Sequence, residues 1–237
     1  MIKQVCKFIC YLFLVINSTN VLGNEAVPIT LESVRINTSD IASLLRGAKF
    51  YAQNCMVCHT MRYISQDSIA RKAGITLDKM PLKQKEWWLN IVPPDLTLIA
   101  RQYSAAWLYT YLHSFYKDSA RPTGYNNLLV KDINMPNPFI GMQGEQILNE
   151  RGKQALMSGK NPHYYSVLEL VKMGSMTPEQ FDATTADLVN FLVYIADPER
   201  PFRLHLGIIV ILFLILFFVL TYLLKKAFWR DVPRDDK

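Results

Sequence analysis

The chain has 237 residues, half of them hydrophobic, 12% aromatic and only 19% charged, a composition that excludes intrinsic disorder and leaves room for one domain with appendages. Its formal charge is +6, and the position of that excess decides whether it signals nucleic acid or a membrane. Four cysteines, at positions 6, 10, 55 and 58, count like a disulfide framework or a zinc site but are not distributed like one.

Residues 1–7 carry Lys3 and Lys7 and no acid, Phe8 to Ile16 form an apolar run of nine, and polar residues 17–20 lead to Val21-Leu22-Gly23. This is the layout of a secretory signal peptide over residues 1–23, since nine apolar residues are too few to span a bilayer. Cleavage near Gly23 removes Cys6 and Cys10. Cys55 and Cys58 then remain, outside the reducing cytoplasm.

The exported body, residues 24–203, begins with a weakly alternating lead-in to Thr38. Ser39 or Asp40 then caps a predicted helix carrying Ile41, Leu44, Leu45, Ala48, Tyr51 and Ala52 at helical spacing, which runs into Cys55-Met56-Val57-Cys58-His59. Residues 60–92 give weaker signals, with an aromatic pair Trp87-Trp88, until Pro93-Pro94 breaks the chain. Ser104 caps a second predicted helix, AAWLYTYLHSFY, with Trp107, Leu108, Tyr111, Leu112 and Phe115 on one face. Proline and glycine between 118 and 144 predict a long irregular loop, a length usually tied to function. Thr177-Pro178-Glu179-Gln180 starts a third helix with a capping box and proline at its first position, Phe181, Leu188, Val189, Leu192 and Ile195 forming its buried stripe. The body reads as mainly α, helix and long loop, without alternating hairpins.

Leu204 to Leu224 is uncharged over 21 residues, about 31 Å as a helix, and predicts a transmembrane segment in which His205 sits at headgroup level. The tail, 225–237, holds Lys225, Lys226, Arg230, Arg234 and Lys237 beside Trp229, which places it in the cytoplasm by the positive-inside rule and the body in the periplasm of a bacterial inner membrane. Two of the 26 basic residues belong to the signal and five to the tail, with three of the 20 acids, which leaves the body at 19 against 17, or +2. Nucleic-acid binding has no support from that distribution.

Cys55-x-x-Cys58-His59 is the attachment signature of c-type haem: two thiols three apart reach the two vinyl groups of one porphyrin, and the adjacent imidazole becomes a ligand to iron. A thioredoxin-like site needs a strand-to-helix context that is absent here. A structural zinc site needs four ligands, and the mature chain offers no further cysteine and only the scattered His113, His163 and His205. A plain disulfide leaves His59 unexplained. For the sixth ligand the residues alone leave Met135, Met142, Met173 and Met176 open, Met135 lying in the proline-held Asn134-Met135-Pro136-Asn137-Pro138. Met56 and Met61 are too close to His59 in sequence.

Arg46-Gly47 to Tyr51 before CMVCH, PPDL with Ile99-Ala100-Arg101, AWLYTYLHSFYKD, RPTGYNN, Asn134-Met135-Pro136, MTPEQFDATTADLVNFLVYIADP and the single C-terminal anchor occur in that order. Together these segments resemble the cytochrome c1 family, the haem subunit of the bacterial quinol-cytochrome c reductase, over nearly the whole chain. The resemblance implies a class I cytochrome c-like domain carrying one covalent haem c, with Cys55 and Cys58 as thioethers, His59 as proximal and Met135 as distal ligand. It also implies that Pro94 lies against the proximal imidazole, where its carbonyl can fix the tautomer, and that Arg101 sits near a haem propionate. Tyr103 stands where many relatives carry a second arginine. The slightly basic body also departs from relatives with an acidic docking surface, so the acceptor either docks mainly by apolar contact or is itself less basic.

The implied role is a one-electron relay from a Rieske iron-sulfur protein to a soluble cytochrome c, beside cytochrome b in a dimeric complex, with no chemistry on substrate in this chain. Met/His ligation suits it by raising the potential and blocking oxygen chemistry. The competing readings are an open-site haem sensor or peroxidase-like protein, and a membrane-tethered thiol oxidoreductase without haem.

Overall fold

The structure, a computed structural model, describes residues 28–64, 66–81 and 92–230; the signal segment, the Trp87-Trp88 pair and the tail beyond residue 230 lie outside them. In chain order the helices are α1 (Ile41–Asn54), α2 (Ser68–Lys72), α3 (Ile99–Gln102), α4 (Ala105–His113), α5 (Glu150–Met157), α6 (Tyr164–Val167), α7 (Pro178–Ala196) and α8 (Arg200–Phe228). The strands are β1 (Phe115–Lys117), β2 (Tyr125–Asn127), β3 (Gly144–Leu148) and β4 (Leu168–Met173). These residues form two compact units, one of 35–64, 66–81, 92–104 and 186–230, the other of 28–34 and 105–185.

In the unit that holds the cysteines, α1 starts because the Asp40 carboxylate accepts from the Ala42 and Ser43 N–H groups, both at 3.1 Å. Its buried face, Leu44, Gly47, Ala48 and Tyr51, packs on the second half of α7, where Leu188, Val189, Leu192 and Ile195 are buried. Gly47 is the point of closest approach: a Cβ there would sit 2.1 Å from the Asp187 carbonyl oxygen, so no larger residue fits. Arg46 donates from Nε and one terminal nitrogen to the two Asp187 carboxylate oxygens, at 2.5 and 2.9 Å. Buried Asn190 takes the Asn37 N–H and gives its own to Asn37 O and Ser43 Oγ, all at 2.9 Å, so its amide is paired on both sides. The result is an α1 whose C-terminus is fixed.

The same unit ends in α8. Its stretch Phe202–Phe228 runs 27 residues, charged only at Arg203, Lys225 and Lys226, and no residue of its apolar window is buried in the chain. That length spans about 40 Å, more than the ~30 Å hydrocarbon core. It is the single transmembrane helix among the described residues, and it contains the predicted 204–224.

In the other unit α4 stops at His113 instead of running to Tyr116, and Phe115 enters β1. β1 pairs antiparallel with β2, Phe115 opposite Asn127, and β3 pairs antiparallel with β4 across a bulge at Glu145/Gln146. The expectation of a body without hairpins is thereby corrected, and the 118–144 stretch is not wholly irregular. Three-residue strands are too short to show alternation, and side chains hold them: Gln146 Nε2 donates to His113 O and Phe115 O at 3.0 Å, and Asn127 Nδ2 to Tyr111 O at 2.9 Å. Ile29, Leu128, Val167 and Leu168 form a small core here. The capping box of α7 is present, Thr177 N–H to Gln180 Oε1 at 2.9 Å and Gln180 N–H to Thr177 Oγ1 at 3.3 Å. Phe181 follows one turn on, packed edge-on against Phe139 and His113. His113 is buried, its Nδ1 donating to Tyr109 O at 2.8 Å and its Nε2 2.9 Å from Asp182 Oδ1.

Candidate functional site

The cysteine motif is built as a turn on the end of α1. Cys55 N–H donates to Tyr51 O at 2.9 Å, Cys58 N–H to Cys55 O at 3.0 Å and His59 N–H to Cys55 O at 2.8 Å. One turn thus sets three chemically active side chains. The buried Tyr51 hydroxyl donates to His59 O at 2.7 Å and ties the turn back to the helix that precedes it. Cys55 and Cys58 are not joined to each other. Burial pushes the Cys55 thiol up to about 12, and burial also raises Cys58.

His59 is 8% exposed, and its Nδ1 lies 2.8 Å from the Pro94 carbonyl oxygen. A carbonyl only accepts, so Nδ1 carries the proton and Nε2 keeps a lone pair. Burial lowers the imidazole's proton affinity, an effect that the Pro94 bond and the charge of Asp95 partly offset, so the ring is poised as a neutral ligand.

Beside Pro94, the Asp95 carboxylate gathers three donors: Thr60 Oγ1 at 2.7 Å and Arg62 N–H at 2.9 Å on one oxygen, Thr97 N–H at 2.9 Å on the other. Burial alone would raise this carboxyl, but the bonds from Thr97, Thr60 and Arg62 outweigh it and hold it below the usual carboxylate range. Leu96 N–H adds a backbone bond to Thr60 O at 2.8 Å. Nothing local in the sequence marks Asp95 or Thr60 as partners 35 residues apart. Arg101 lies at the end of α3, where its Nε donates to Ala196 O at 2.7 Å and a terminal nitrogen is 4.0 Å from Asp197. It therefore caps the C-terminus of α7, a contact the sequence reading did not foresee.

Met135 belongs to the other unit. It is half-buried, and its Sδ accepts from the Tyr111 hydroxyl at 3.1 Å. Trp107 stacks on the Tyr111 ring at 5.1 Å and Phe115 meets it edge-on at 5.3 Å, which holds the hydroxyl in place. The other methionines differ. Met61 and Met80 are buried together, Met61 N–H donating to Met80 Sδ at 3.3 Å. Met173 is 66% exposed on β4, and Met176 Sδ lies 3.9 Å from the Thr184 hydroxyl, which donates to Gln180 O at 2.8 Å. The Met142 carbonyl is packed on Gly174, where a Cβ would come within 2.1 Å of it.

Comparison with known proteins gives a match of residues 81–232 to the family described as "Cytochrome C1 family". The chain is 35% identical over 252 residues to cytochrome c1 of Allochromatium vinosum, covering 95% of this chain and 99% of that one. It is 38% identical over 222 residues, 86% and 89% of the two chains, to a Nitrosomonas europaea protein named "Ammonia monooxygenase gamma subunit". Cytochrome c1 of Rhodobacter capsulatus is 21% identical over 246 residues, 83% and 85% of the two chains.

Proposed function

The chain belongs to the cytochrome c1 family and carries one covalently bound haem c for electron transfer, and from that premise we propose that it accepts single electrons from a Rieske iron-sulfur protein and passes them to a soluble cytochrome c. Cys55 and Cys58 would hold the haem as thioethers, His59 and Met135 would ligate its iron, the Pro94 carbonyl would orient His59, and Arg101 would serve a propionate. The residues present suit such a group. Two thiols stand on one turn, and a neutral imidazole with its Nδ1 proton already spent follows them directly. That imidazole, held at 2.8 Å by Pro94, is the observation that carries the reading.

Haem iron supplies a one-electron couple, whose potential Met/His ligation raises. The chain's own residues do the rest. His59 and Met135 would be the residues that hold the iron and keep oxygen from it; the Pro94 carbonyl fixes the imidazole through Nδ1, and the Tyr51 hydroxyl fixes the backbone of His59. The five donors of Arg101 exceed what Ala196 takes, so the guanidinium can also neutralise a carboxylate. α8 anchors the chain in the inner membrane, with the haem domain in the periplasm and the C-terminus in the cytoplasm, and so raises the effective concentration of the haem beside its donor. Cytochrome b and the Rieske protein complete the assembly, as a dimer.

Detergent extraction, affinity purification and a reduced-minus-oxidised spectrum test this reading. The expected result is a band that stains for covalent haem, copurifying with b-type haems and an iron-sulfur protein. A colourless band would overturn the haem assignment. A red band without cytochrome b, travelling instead with monooxygenase subunits as the name of the Nitrosomonas relative suggests for that protein, would overturn the proposed partners.

A further inference from the structure

Two short segments meet at the proximal side of the motif, 59–62 and 94–97, and four hydrogen bonds join them: His59 Nδ1 to Pro94 O, Thr60 Oγ1 to Asp95, Arg62 N–H to Asp95, and Leu96 N–H to Thr60 O, all between 2.7 and 2.9 Å. Only the first touches the proposed ligand. Of the other three, two end on a single carboxylate. Its remaining oxygen binds Thr97 N–H, which folds the second segment around it. Thr60 and Thr97 are 1% and 2% exposed, so little water can take over the bonds they make, while the Arg62 bond lies nearer the surface.

We propose that Asp95 is a positioning residue for His59: its carboxylate clamps the two segments together and thereby sets the direction and strength of the His59 to Pro94 bond, and through it the donor strength of the imidazole. The inference rests on the reading of His59 as an iron ligand. A carboxylate is required because three donors converge on two oxygens. An amide offers one oxygen, so in Asp95→Asn the NH2 group faces either the Arg62 N–H with Thr60, or the Thr97 N–H, donor against donor. The threonine hydroxyl can rotate to accept; a backbone N–H cannot. Pro94 is the residue next to Asp95 and His59 the residue next to Thr60, so any slip of the clamp acts on the ligand's own bond. A firm Nδ1–H···O bond gives the imidazole a partly anionic character that favours the ferric state, and loosening it raises the potential. Loss of the nearby negative charge acts in the same sense.

The test uses the full-length membrane protein with Asp95→Asn, Thr60→Val and Thr60→Ser. Thr60→Val removes one clamp bond without changing charge, and Thr60→Ser keeps the hydroxyl. The readouts are the midpoint potential from a redox titration of the α band and the g values of the low-spin ferric haem, which follow the orientation of the axial imidazole. Asp95→Asn and Thr60→Val should both raise the potential and move the g values, Asp95→Asn by more, while Thr60→Ser retains the parent values. An upward shift in Asp95→Asn alone would reduce its role to charge and overturn the clamp, as would unmoved readouts in both variants with covalent haem intact. Should Asp95→Asn fail to retain haem, the Thr60→Val and Thr60→Ser pair decides on the same readouts. Absence of covalent haem from the unsubstituted chain would overturn the haem reading itself.

Discussion

The Tyr111 hydroxyl donates to the Met135 sulfur across 3.1 Å, with Trp107 stacked on the tyrosine ring and Phe115 set edge-on against it. A thioether has two lone pairs, one for this bond and one for a metal. The hydrogen bond withdraws density from sulfur, which costs the ferric state more than the ferrous one. Tyr111→Phe keeps the ring and removes the donor, so the midpoint potential should fall, by at most about 60 mV if the whole ~1.4 kcal/mol of such a bond acts on one oxidation state. Potentiometric titration checks this. An unmoved potential would detach Met135 from the iron.

Met135→Leu conserves volume and removes the sulfur. The expected outcome is a lower potential, rapid binding of carbon monoxide to the ferrous form and loss of electron transfer to cytochrome c. Unchanged behaviour would pass the ligand role to Met142, Met173 or Met176. Of those, Met173 is 66% exposed on β4.

Gly47→Ala places a methyl 2.1 Å from the Asp187 carbonyl oxygen, backbone that cannot give way without separating α1 from α7. Overpacking of this kind costs about 1–3 kcal/mol. Because α1 carries the cysteine turn at its end, the expected signature is double: a lower thermal unfolding temperature and a weaker yield of covalent haem per chain. A normal yield in a clearly destabilised variant would show that attachment does not depend on α1 packing.

Asp95 also predicts a pH dependence. Its carboxyl is held below the ordinary value of about 3.9, so in the folded chain it stays ionised where the unfolded chain takes up a proton. The stability it contributes is therefore fully present above the unfolded value and is lost as pH falls through the folded one. The unsubstituted chain and Asp95→Asn should differ in stability at pH 7 and converge as the pH drops below about 4. Acid-unfolding curves of the two proteins that keep a constant separation would exclude this linkage.

What the sequence reveals here follows the range of the interactions. The Asp40 cap of α1 and the Thr177/Gln180 box of α7 were legible because each is complete within four residues. The spacing of Leu44, Ala48 and Tyr51, and that of Leu188, Leu192 and Ile195, likewise marks the faces that are buried. β1 and β2 were not legible. Three residues cannot display a period, and the strands depend on Gln146 and Asn127 reaching across the unit to backbone carbonyls. The same applies to Phe115, which continues the helical spacing of Trp107 and Tyr111 but belongs to a strand. At the site, CMVCH announces its own chemistry, whereas the Thr60 to Asp95 bond joins residues 35 positions apart and exists only once both segments have folded. His113, isolated in the sequence from the other histidines, is a buried residue with both ring nitrogens engaged.

The seam between α1 and α7 has a bearing on how the molecule is made. Asp187 and Asn190, which close over Gly47, Arg46 and Ser43, lie about 130 residues after the thiols that α1 presents. A chain synthesised from its N-terminus offers Cys55 and Cys58 long before those partners exist. Until α7 is made the inner face of α1 is bare, whereas the partners of His59, Tyr51 and Pro94, lie within 35 residues of it and come early.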